Sequence, residues 1–558
     1  MSSVASSSSS GKPDKVDPVL RNALRYTLSA REYRLLHQYL ISRAPAARKK
    51  APSPRRFEAI AKGTDDFNAA AIRASVRLGL STFAVLRLWE SIKSRFLSRV
   101  HPRPKSTVPF WKSSNLRLSS SLALILFFHR ILFRFFTRLR DTILDDNAKP
   151  FRRRNPRVTR VLTARLAPAI GASLSGFFLG MCPADQLRVT IAIYVFTRSL
   201  EFAYNGLEDR GWFNNTPWWF GSWLIFPATC GQLLHAFVFD RDCFPEAYGR
   251  FILKQSPQYI QPRPHGYRGA LPWPDTFTIV DSIGETARLR WPAFTSPILF
   301  TNKQTLPRSL TAIAPITSPA HPAIKSLSCA LLHPHDPSCA RTYITYFITA
   351  FPAVARFFAV IFTVFSLPRY KSFVNAPFAT LHKLAANVLR MALFVTGAIG
   401  SSWASICLFQ AWLPGLLLPQ GRFVLGGALG GLWAFLERKN GRGTFLYSLR
   451  LSIDSFWKVG VKHKWWRGVR NGDVLLFVAS LALVNAVYER DPKAVTGGVV
   501  RKGLGMLRGE GWVDRAALRE RSLRRAAEKA AERERELLEE REQKAVGVPQ
   551  VAVENVDD

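Results

Sequence analysis

Residues 422–457 read RFVLGGALGGLWAFLERKNGRGTFLYSLRLSIDSFW, and residues 168–204 read PAIGASLSGFFLGMCPADQLRVTIAIYVFTRSLEFAY. Each stretch contains a helix rich in small residues, a short polar hinge, and a second apolar helix that ends near an acid. A repeat changes the prediction of a whole fold, so it has to be recognised first. In membrane proteins, weakly similar segments of this kind indicate a duplicated helix pair. The two stretches therefore predict two related helix-pair repeats.

Small residues occupy the same places in both copies. Faces of this kind let helix backbones approach closely in lipid. We expect them to pack within the protein, with a pore-lining or dimerising role as the alternative. The matched small residues are Gly171, Ser175 and Gly176 in the first copy and Gly426, Gly430 and Gly431 in the second. In the second helix of each copy, Tyr194 matches Tyr447 and Glu201 matches Asp454.

The chain is strongly basic. Its 558 residues include 78 Lys and Arg against 39 Asp and Glu, for a formal net charge of +39, although 47% of residues are hydrophobic. In a soluble protein this charge would suggest nucleic-acid binding. Here the basic residues lie between long apolar runs, so we expect them to contact anionic lipid headgroups and expect no nucleic-acid partner. Six cysteines in a chain of this length make no disulfide framework.

Long apolar runs recur along the chain and predict an all-α, polytopic helical membrane bundle. A span needs roughly 20 mainly apolar residues, so roughly six to nine spans are expected. The apolar runs lie at 116–136, 161–181, 187–204, 218–239, 343–367, 378–413, 416–457 and 474–488. Three basic residues of the first run are expected to snorkel toward one membrane interface: His129, Arg130 and Arg134. The helical stretch 67–96 is interrupted by charged residues, including Arg73, Arg77, Arg87 and Glu90, and is instead predicted to be a membrane-surface or bundle-edge helix.

Changes in composition divide the chain into five regions. The two membrane regions each contain one repeat copy, and a polar, Pro-rich region separates them. The regions are a disordered or basic amphipathic N-terminal region (1–66), a first membrane region (67–239), a polar loop domain with a Cys/His element (240–341), a second membrane region (342–490), and a charged tail with a solvated helix (491–558).

Ionisable residues occur in the second helix of each copy. Arg198 and Glu201 are three residues apart, and Arg450 and Asp454 are four apart, so each pair can meet on one helix face. Charges at membrane depth are costly and indicate a functional site or a polar cavity. The alternative is an ion pair inside the bundle or at its rim.

The stretch CALLHPHDPSC, residues 329–339, contains candidate metal ligands. Cys329 and His333 would share a helical face, and Cys339 would return after a turn broken by prolines. Structural zinc usually takes four Cys or His ligands, so His335 or Asp336 would have to complete the set. A disulfide between the two cysteines and a turn with free thiols are the alternatives. We expect both cysteines to lie close together where a helix leads into the run at 343–367.

Three stretches together show a family resemblance: the element at 329–339, DQLRVTIAIYVFTRSLEFAYN at 185–205, and LLHAFVFDRDCFP at 233–245. They resemble fungal members of the transmembrane protein 135 family. The Cys/His element is similar to that family's cysteine-rich region, with fewer cysteines than its animal members have. The repeat copies more distantly resemble the mitochondrial inner-membrane translocase channel family, which uses glycine-faced helices. The resemblance implies a multi-pass protein of peroxisomal or mitochondrial membranes, linked to organelle dynamics and lipid metabolism.

The motifs of common enzymes are not found in the sequence, so no catalytic residue and no cofactor is predicted. We expect a non-enzymatic organelle membrane protein that acts in organelle organisation and lipid metabolism. The alternative is a solute or lipid transporter or channel, and the third choice is a membrane enzyme using the Cys/His element. The expected partners are a bilayer with anionic headgroups and either other membrane proteins or a second copy of the chain.

Overall fold

The computed structural model describes residues 18–44, 51–61, 66–97, 113–269, 271–299 and 306–546. Within these ranges the secondary structure is helical without strands, apart from an isolated bridge between Ala293 and Ser326. The all-α prediction is therefore confirmed. Residues 1–17, 45–50 and 62–65 of the predicted N-terminal region 1–66 lie outside the described residues, as does the final stretch 547–558.

The α-helices follow one another along the chain in three groups. The first group is α1 (Pro18–Thr27), α2 (Ala30–Tyr39), α3 (Pro54–Ala61), α4 (Asp66–Leu97), α5 (Ser114–Leu144), α6 (Lys149–Arg154), α7 (Pro156–Thr163), α8 (Ala167–Ala172) and α9 (Gln186–Glu208). The second is α10 (Ile225–Phe239), α11 (Glu246–Lys254), α12 (Thr276–Arg288), α13 (Ala314–Thr317), α14 (Leu327–Leu332), α15 (Cys339–Ser366), α16 (Tyr370–Asn375), α17 (Pro377–Trp412), α18 (Gly421–Gly431) and α19 (Arg442–Lys462). The third is α20 (Gly472–Arg490), α21 (Gly498–Arg508) and α22 (Arg515–Val546).

Short 3₁₀ helices connect or extend these elements. Ser173–Met181 continues directly from α8, and Leu432–Glu437 continues directly from α18. The others are Ile41–Arg43, Asp146–Ala148, Ser222–Leu224, Arg241–Cys243, Arg308–Ile313 and Leu367–Arg369.

Six helices of the described chain are long and apolar enough to cross a membrane, or seven if one pair bent by 81° forms a single span. The protein is thus a multi-pass helical membrane protein, and the number of candidate spans lies in the predicted range. The bent pair is Pro156–Thr163 with Ala167–Met181, and the six are Asp66–Arg95, Ser114–Leu144, Ser222–Phe239, Cys339–Ser366, Pro377–Trp412 and Gly472–Arg490.

The first of these candidate spans differs from the prediction of a membrane-surface or bundle-edge helix at 67–96. The structure forms one unbroken helix here, α4, and its segment Asp66–Arg95 contains an 18-residue window with at most two charged residues. The charges are spread far enough along the helix to leave an apolar length between them. Length and composition therefore make α4 a candidate span.

The described helices form two compact units, one from the first and third groups and one from the second. Unit 1 comprises Met1–Asn214 with Asn471–Asp558, and unit 2 comprises Asn215–Arg470. Each unit contains one predicted repeat copy as a hairpin of α-helix, 3₁₀ helix and α-helix. In unit 1 the hairpin packs against α5 and α20, and in unit 2 it packs against α17 and α10. The helix that follows each hairpin in the chain thus packs in the other unit.

Equivalent glycines contact equivalent helices in the two hairpins. In each hairpin, the first matched glycine faces the long helix that precedes the hairpin in the chain. The last matched glycine faces a second helix, which is α20 in unit 1 and α10 in unit 2. The contacts are Gly171 with Phe136 of α5, Gly176 with Phe477 of α20, Gly426 with Ser405 of α17, and Gly431 with Pro227 of α10. This agreement supports the predicted duplication and the packing role of the small residues.

In unit 1, two basic residues of α5 contact the end of α21 rather than a membrane interface. His129 and Arg130 are 0% and 6% exposed. His129 Nδ1 lies 3.0 Å from Leu507 O, and Arg130 Nε donates to Met506 O at 2.9 Å. The carbonyls at a helix C-terminus lack partners within the helix and interact well with cations. The snorkelling prediction is therefore wrong for these two residues, and α21 is packed within the unit.

In unit 2, part of the predicted polar region belongs to the main hydrophobic core. Tyr259, Ile279, Ile313 and Leu331 are buried together with Trp403 of α17. The helices in this region are short, so their apolar residues show little periodicity in a Pro-rich sequence. The region 240–341 therefore contributes to the packing of the membrane helices α10 and α17.

Candidate metal centre and apolar cavity

A short helix and the start of a long one position the Cys/His element. The helix α14 ends at Leu332 and is capped by His333, whose backbone N–H donates to Cys329 O at 2.8 Å. After the proline-containing turn, α15 begins at Cys339, and the Ser338 hydroxyl caps it by accepting from Arg341 N at 3.3 Å. The chain therefore reverses within a few residues, as the sequence predicted.

Four ligand atoms converge at this reversal. The Sγ atoms of Cys329 and Cys339 lie 3.8 Å apart, and Cys339 Sγ lies 3.4 Å from His333 Nε2. Cys407 Sγ lies 3.4 Å from the same nitrogen. Across the described residues, these four side chains are the group whose ligand atoms all lie within 4.8 Å of one another. The structure thus brings the three predicted candidates together and adds a fourth.

Cys407 takes the place that the sequence had left to His335 or Asp336. It lies on α17, 74 positions from His333, in the apolar segment ASICLFQ. A single cysteine in such a segment is an ordinary small apolar residue, so the sequence offered no signal for it. His335 is exposed, and Asp336 contacts His333 through its backbone.

The hydrogen bonds around His333 direct its other nitrogen into the cluster. His333 Nδ1 lies 2.7 Å from Asp336 O, and a carbonyl can only accept, so the proton is assigned to Nδ1. In the neutral imidazole, which is the form that binds a metal, Nε2 then has a lone pair directed at the sulfurs. Asp336 Oδ1 in turn accepts from Ser338 N at 2.9 Å, which fixes the turn. Metal-binding histidines usually have such a partner on the nitrogen that does not bind the metal.

The contacts within the cluster favour the thiolate form of Cys329. Hydrogen bonds from Cys339 and Cys407, with a smaller one from His333, lower the pKa of the Cys329 thiol despite burial. Burial acts to lower the pKa of His333, but its contacts with Cys329 and Cys339 outweigh burial and raise it to about 10. Thiolate is the form of cysteine that binds metals.

Comparison of the chain with protein-family models, curated proteins and solved structures finds no match. The residues of the Cys/His cluster are therefore interpreted from their own geometry and chemistry.

The ionisable pairs predicted in the repeat helices lie on single helix faces. Arg198 and Glu201 form a salt bridge on α9, and Glu201 also accepts a hydrogen bond from Thr496 at 3.4 Å. On α19, Asp454 accepts a hydrogen bond at 2.7 Å from Lys458, a partner that the sequence analysis did not name, and its pairing with Arg450 stays a prediction. Glu201 is buried, whereas Lys458 is partly exposed. These contacts favour ion pairs that stabilise the helices.

An apolar cavity of about 260 Å³ lies within unit 2 among α10, α11, α15, α17 and α19. Its walls are mainly aromatic and aliphatic, with Phe226 and Phe237 from α10 and Met391 and Phe394 from α17. No charged side chain is among the described residues that line it. Such a lining suits an apolar ligand, because a polar one would lose its hydrogen bonds with water.

A second, more open groove of about 740 Å³ borders the metal-ligand cluster. It is lined by α15, α17 and the second repeat hairpin, and Cys339 and Cys407 are among its lining residues. The remaining lining is mostly aliphatic and aromatic, including Leu429, Leu432 and Trp433. The cluster thus lies at the edge of an open, mainly apolar groove.

Proposed function

We propose that this multi-pass protein binds a lipid acyl chain in the cavity of unit 2 and acts, without being an enzyme, in lipid metabolism and organelle organisation. The apolar cavity is the single observation on which this proposal depends. Its volume of about 260 Å³ is near the lower end of ligand pockets, which span about 300–1,000 Å³. A single chain fits that size better than a bulky ligand.

One side of the cavity supplies polar groups for a lipid head. Thr444, Tyr447 and Ser448 of α19 line it, and their spacing places them on one helix face with Leu451. Ser448 Oγ also lies 2.9 Å from Thr229 Oγ1, so this hydroxyl is already positioned. A few hydroxyls beside an apolar wall are the usual means of orienting an amphiphilic ligand.

The proposed location is the peroxisomal or mitochondrial membrane, and its support is the resemblance to the transmembrane protein 135 family. The formal charge of +39 supports anionic lipid headgroups as a partner. Lys and Arg near a membrane surface each contribute about 1 kcal/mol of attraction to such headgroups. Tagging the protein together with peroxisomal and mitochondrial markers tests the location.

The lipid proposal is tested by filling the cavity. Leu451→Trp adds a large side chain to the α19 wall, and we expect binding of a fluorescent fatty acid to purified protein to weaken at least tenfold, or about 1.4 kcal/mol. Leu425→Trp is the matched control, since Leu425 is 43% exposed on α18 and lies outside the cavity lining. Equal binding by both variants, with equal thermal stability, would contradict the proposal.

A lipid or solute transporter is the second candidate, and the duplicated hairpins favour it. Internal repeats with equivalent contacts are common in transporters, where the two halves support alternating access. An assay in proteoliposomes distinguishes the transporter from the lipid-binding protein. Movement of a labelled fatty acid between leaflets, abolished by Leu451→Trp, would support transport, whereas binding without movement would leave the binding role.

A further inference from the structure

The Cys/His cluster is separate from the apolar cavity, and its geometry can be compared with that of a metal centre. In a tetrahedral zinc site with bonds of about 2.3 Å to sulfur and about 2.0–2.1 Å to nitrogen, sulfurs lie about 3.8 Å apart and sulfur lies about 3.5 Å from nitrogen. The corresponding distances here are 3.8 Å between Cys329 and Cys339 and 3.4 Å from either Cys339 or Cys407 to His333. These three distances match the edges of such a tetrahedron, and all four ligand atoms lie within 4.8 Å of one another.

The donor set narrows the choice of metal. Three thiolates and one imidazole form one of the usual structural zinc sets, whereas calcium and magnesium prefer oxygen. Because all four atoms lie within 4.8 Å of one another, they suit one ion rather than a cluster with several metal atoms. The lone pair of His333 Nε2 is directed to the centre by the Nδ1 contact with Asp336.

We propose that Cys329, His333, Cys339 and Cys407 bind one Zn²⁺ ion. The ligands come from α14 and its end, from the first residue of α15, and from α17. The ion therefore joins the turn before one candidate span to the C-terminal part of another, across 74 positions of the chain. Four protein ligands complete a tetrahedron and leave no position for substrate, so the site is structural.

The non-bonded geometry distinguishes this site from a disulfide. A disulfide needs sulfurs about 2.05 Å apart, and it would use two of the cysteines without His333 or Cys407. Here Cys329, Cys339 and Cys407 are all free thiols around the same nitrogen. A metal ion uses all four side chains, including the buried Cys407 and His333.

The test is the metal content of the purified full-length protein, with X-ray absorption of the bound metal. We expect one zinc per chain, with three sulfur neighbours at about 2.3 Å and one nitrogen at about 2.0–2.1 Å. Cys407→Ser should lower the zinc content to near zero. Cys243→Ser is the matched control, because Cys243 is also buried in the core of unit 2 but lies outside the cluster.

Several results would overturn the proposal. They are protein without stoichiometric metal, iron or copper in place of zinc, a full zinc content in Cys407→Ser, and a coordination shell with fewer than three sulfurs. The absorption spectrum is measured on the unsubstituted chain, so it decides the matter even where Cys407→Ser fails to fold. The zinc content is measured without lipid, so failure of the zinc proposal and failure of the lipid proposal can be told apart.

Discussion

Cys407 Sγ and His333 Nε2 lie 3.4 Å apart, and Cys407 follows Trp403 by one turn on α17. Trp403 lines the apolar cavity and donates from Nε1 to Ser256 Oγ at 2.9 Å. One helix therefore contributes both to the metal-ligand cluster and to the wall of the cavity. Changes in the cluster can reach the cavity through the position of α17.

Metal removal is expected to weaken lipid binding. A chelator that strips the proposed zinc should loosen the contact between α14, α15 and α17, and fatty-acid affinity should fall at least threefold, or about 0.6 kcal/mol. Added zinc should restore it. The measurement is a fluorescence titration before and after chelation. Unchanged affinity in demonstrably zinc-free protein would show that the two sites are not coupled.

Gly430 should be sensitive to any side chain. A Cβ atom at this position would lie 2.5 Å from Ala398 O, and a backbone atom cannot move aside easily. We expect Gly430→Ala to destabilise the protein by about 1–3 kcal/mol and Gly430→Leu by more, because overpacking forces α17 and α18 apart. Thermal unfolding in detergent measures the effect.

The matched control for Gly430 is Gly443→Ala. A Cβ atom at Gly443, on α19, would have no neighbour within 4 Å, so the change should be neutral or slightly stabilising. Equal melting temperatures for the two alanine variants would contradict close packing at Gly430.

Arg130 should be required for the packing of α21. Arg130→Met removes the hydrogen bonds that the guanidinium donates to Met506 O and to Ala70 O, the latter at 3.2 Å, and so removes the link between α21 and α4. Hydrogen bonds from a charged donor contribute about 1.5–3 kcal/mol, so we expect a loss of stability of that size. Arg117→Met, at an exposed position of the same helix, should have little effect on thermal unfolding. A similar loss in both variants would refute the capping role.

Asp240 should contribute stability that is lost in acid. Burial acts to raise the pKa of Asp240, but hydrogen bonds from Lys462 and His463, each 3.0 Å away, lower it below the ordinary value of 3.8. A carboxylate with a depressed folded-state pKa stabilises the fold above its unfolded pKa and loses this effect as the pH falls through the folded-state value.

The corresponding measurement is the melting temperature between pH 7 and acid below about pH 4. We expect the melting temperature of Asp240→Asn to fall less below about pH 4 than that of the unsubstituted protein. Release of metal in acid lowers the stability of both proteins, so it does not account for the difference. Asp242→Asn should keep the original pH dependence, because the Asp242 side chain is 89% exposed. Parallel curves for Asp240→Asn and the unsubstituted protein would contradict the assignment.

Local patterns predicted the helices and much of their packing. The glycine spacing indicated a close-packed face, and Gly426 and Gly431 do contact neighbouring helices. The prolines between Cys329 and Cys339 indicated the turn that brings these two cysteines together. Each of these features depends on residues close together in the sequence, so periodicity and turn chemistry were sufficient.

Long-range partners could not be predicted in the same way. Cys407 looks like any small residue of an apolar helix until α17 is placed beside His333. The partner of Arg130 is 376 positions away at Met506, so the sequence showed a charge in a span but not the helix end that accepts its hydrogen bonds. Such contacts follow from tertiary packing, which a single sequence does not encode in any local pattern.

The most direct test of the central claim is to map where a photoreactive fatty acid attaches to the protein. We expect an alkyl-diazirine fatty acid, cross-linked in membranes and located by mass spectrometry, to label cavity residues such as Met391 and Tyr447. Leu451→Trp should reduce this labelling, and Leu425→Trp should not. Labelling confined to exposed helix positions such as Val360 and Leu475, with none in the cavity, would contradict the account.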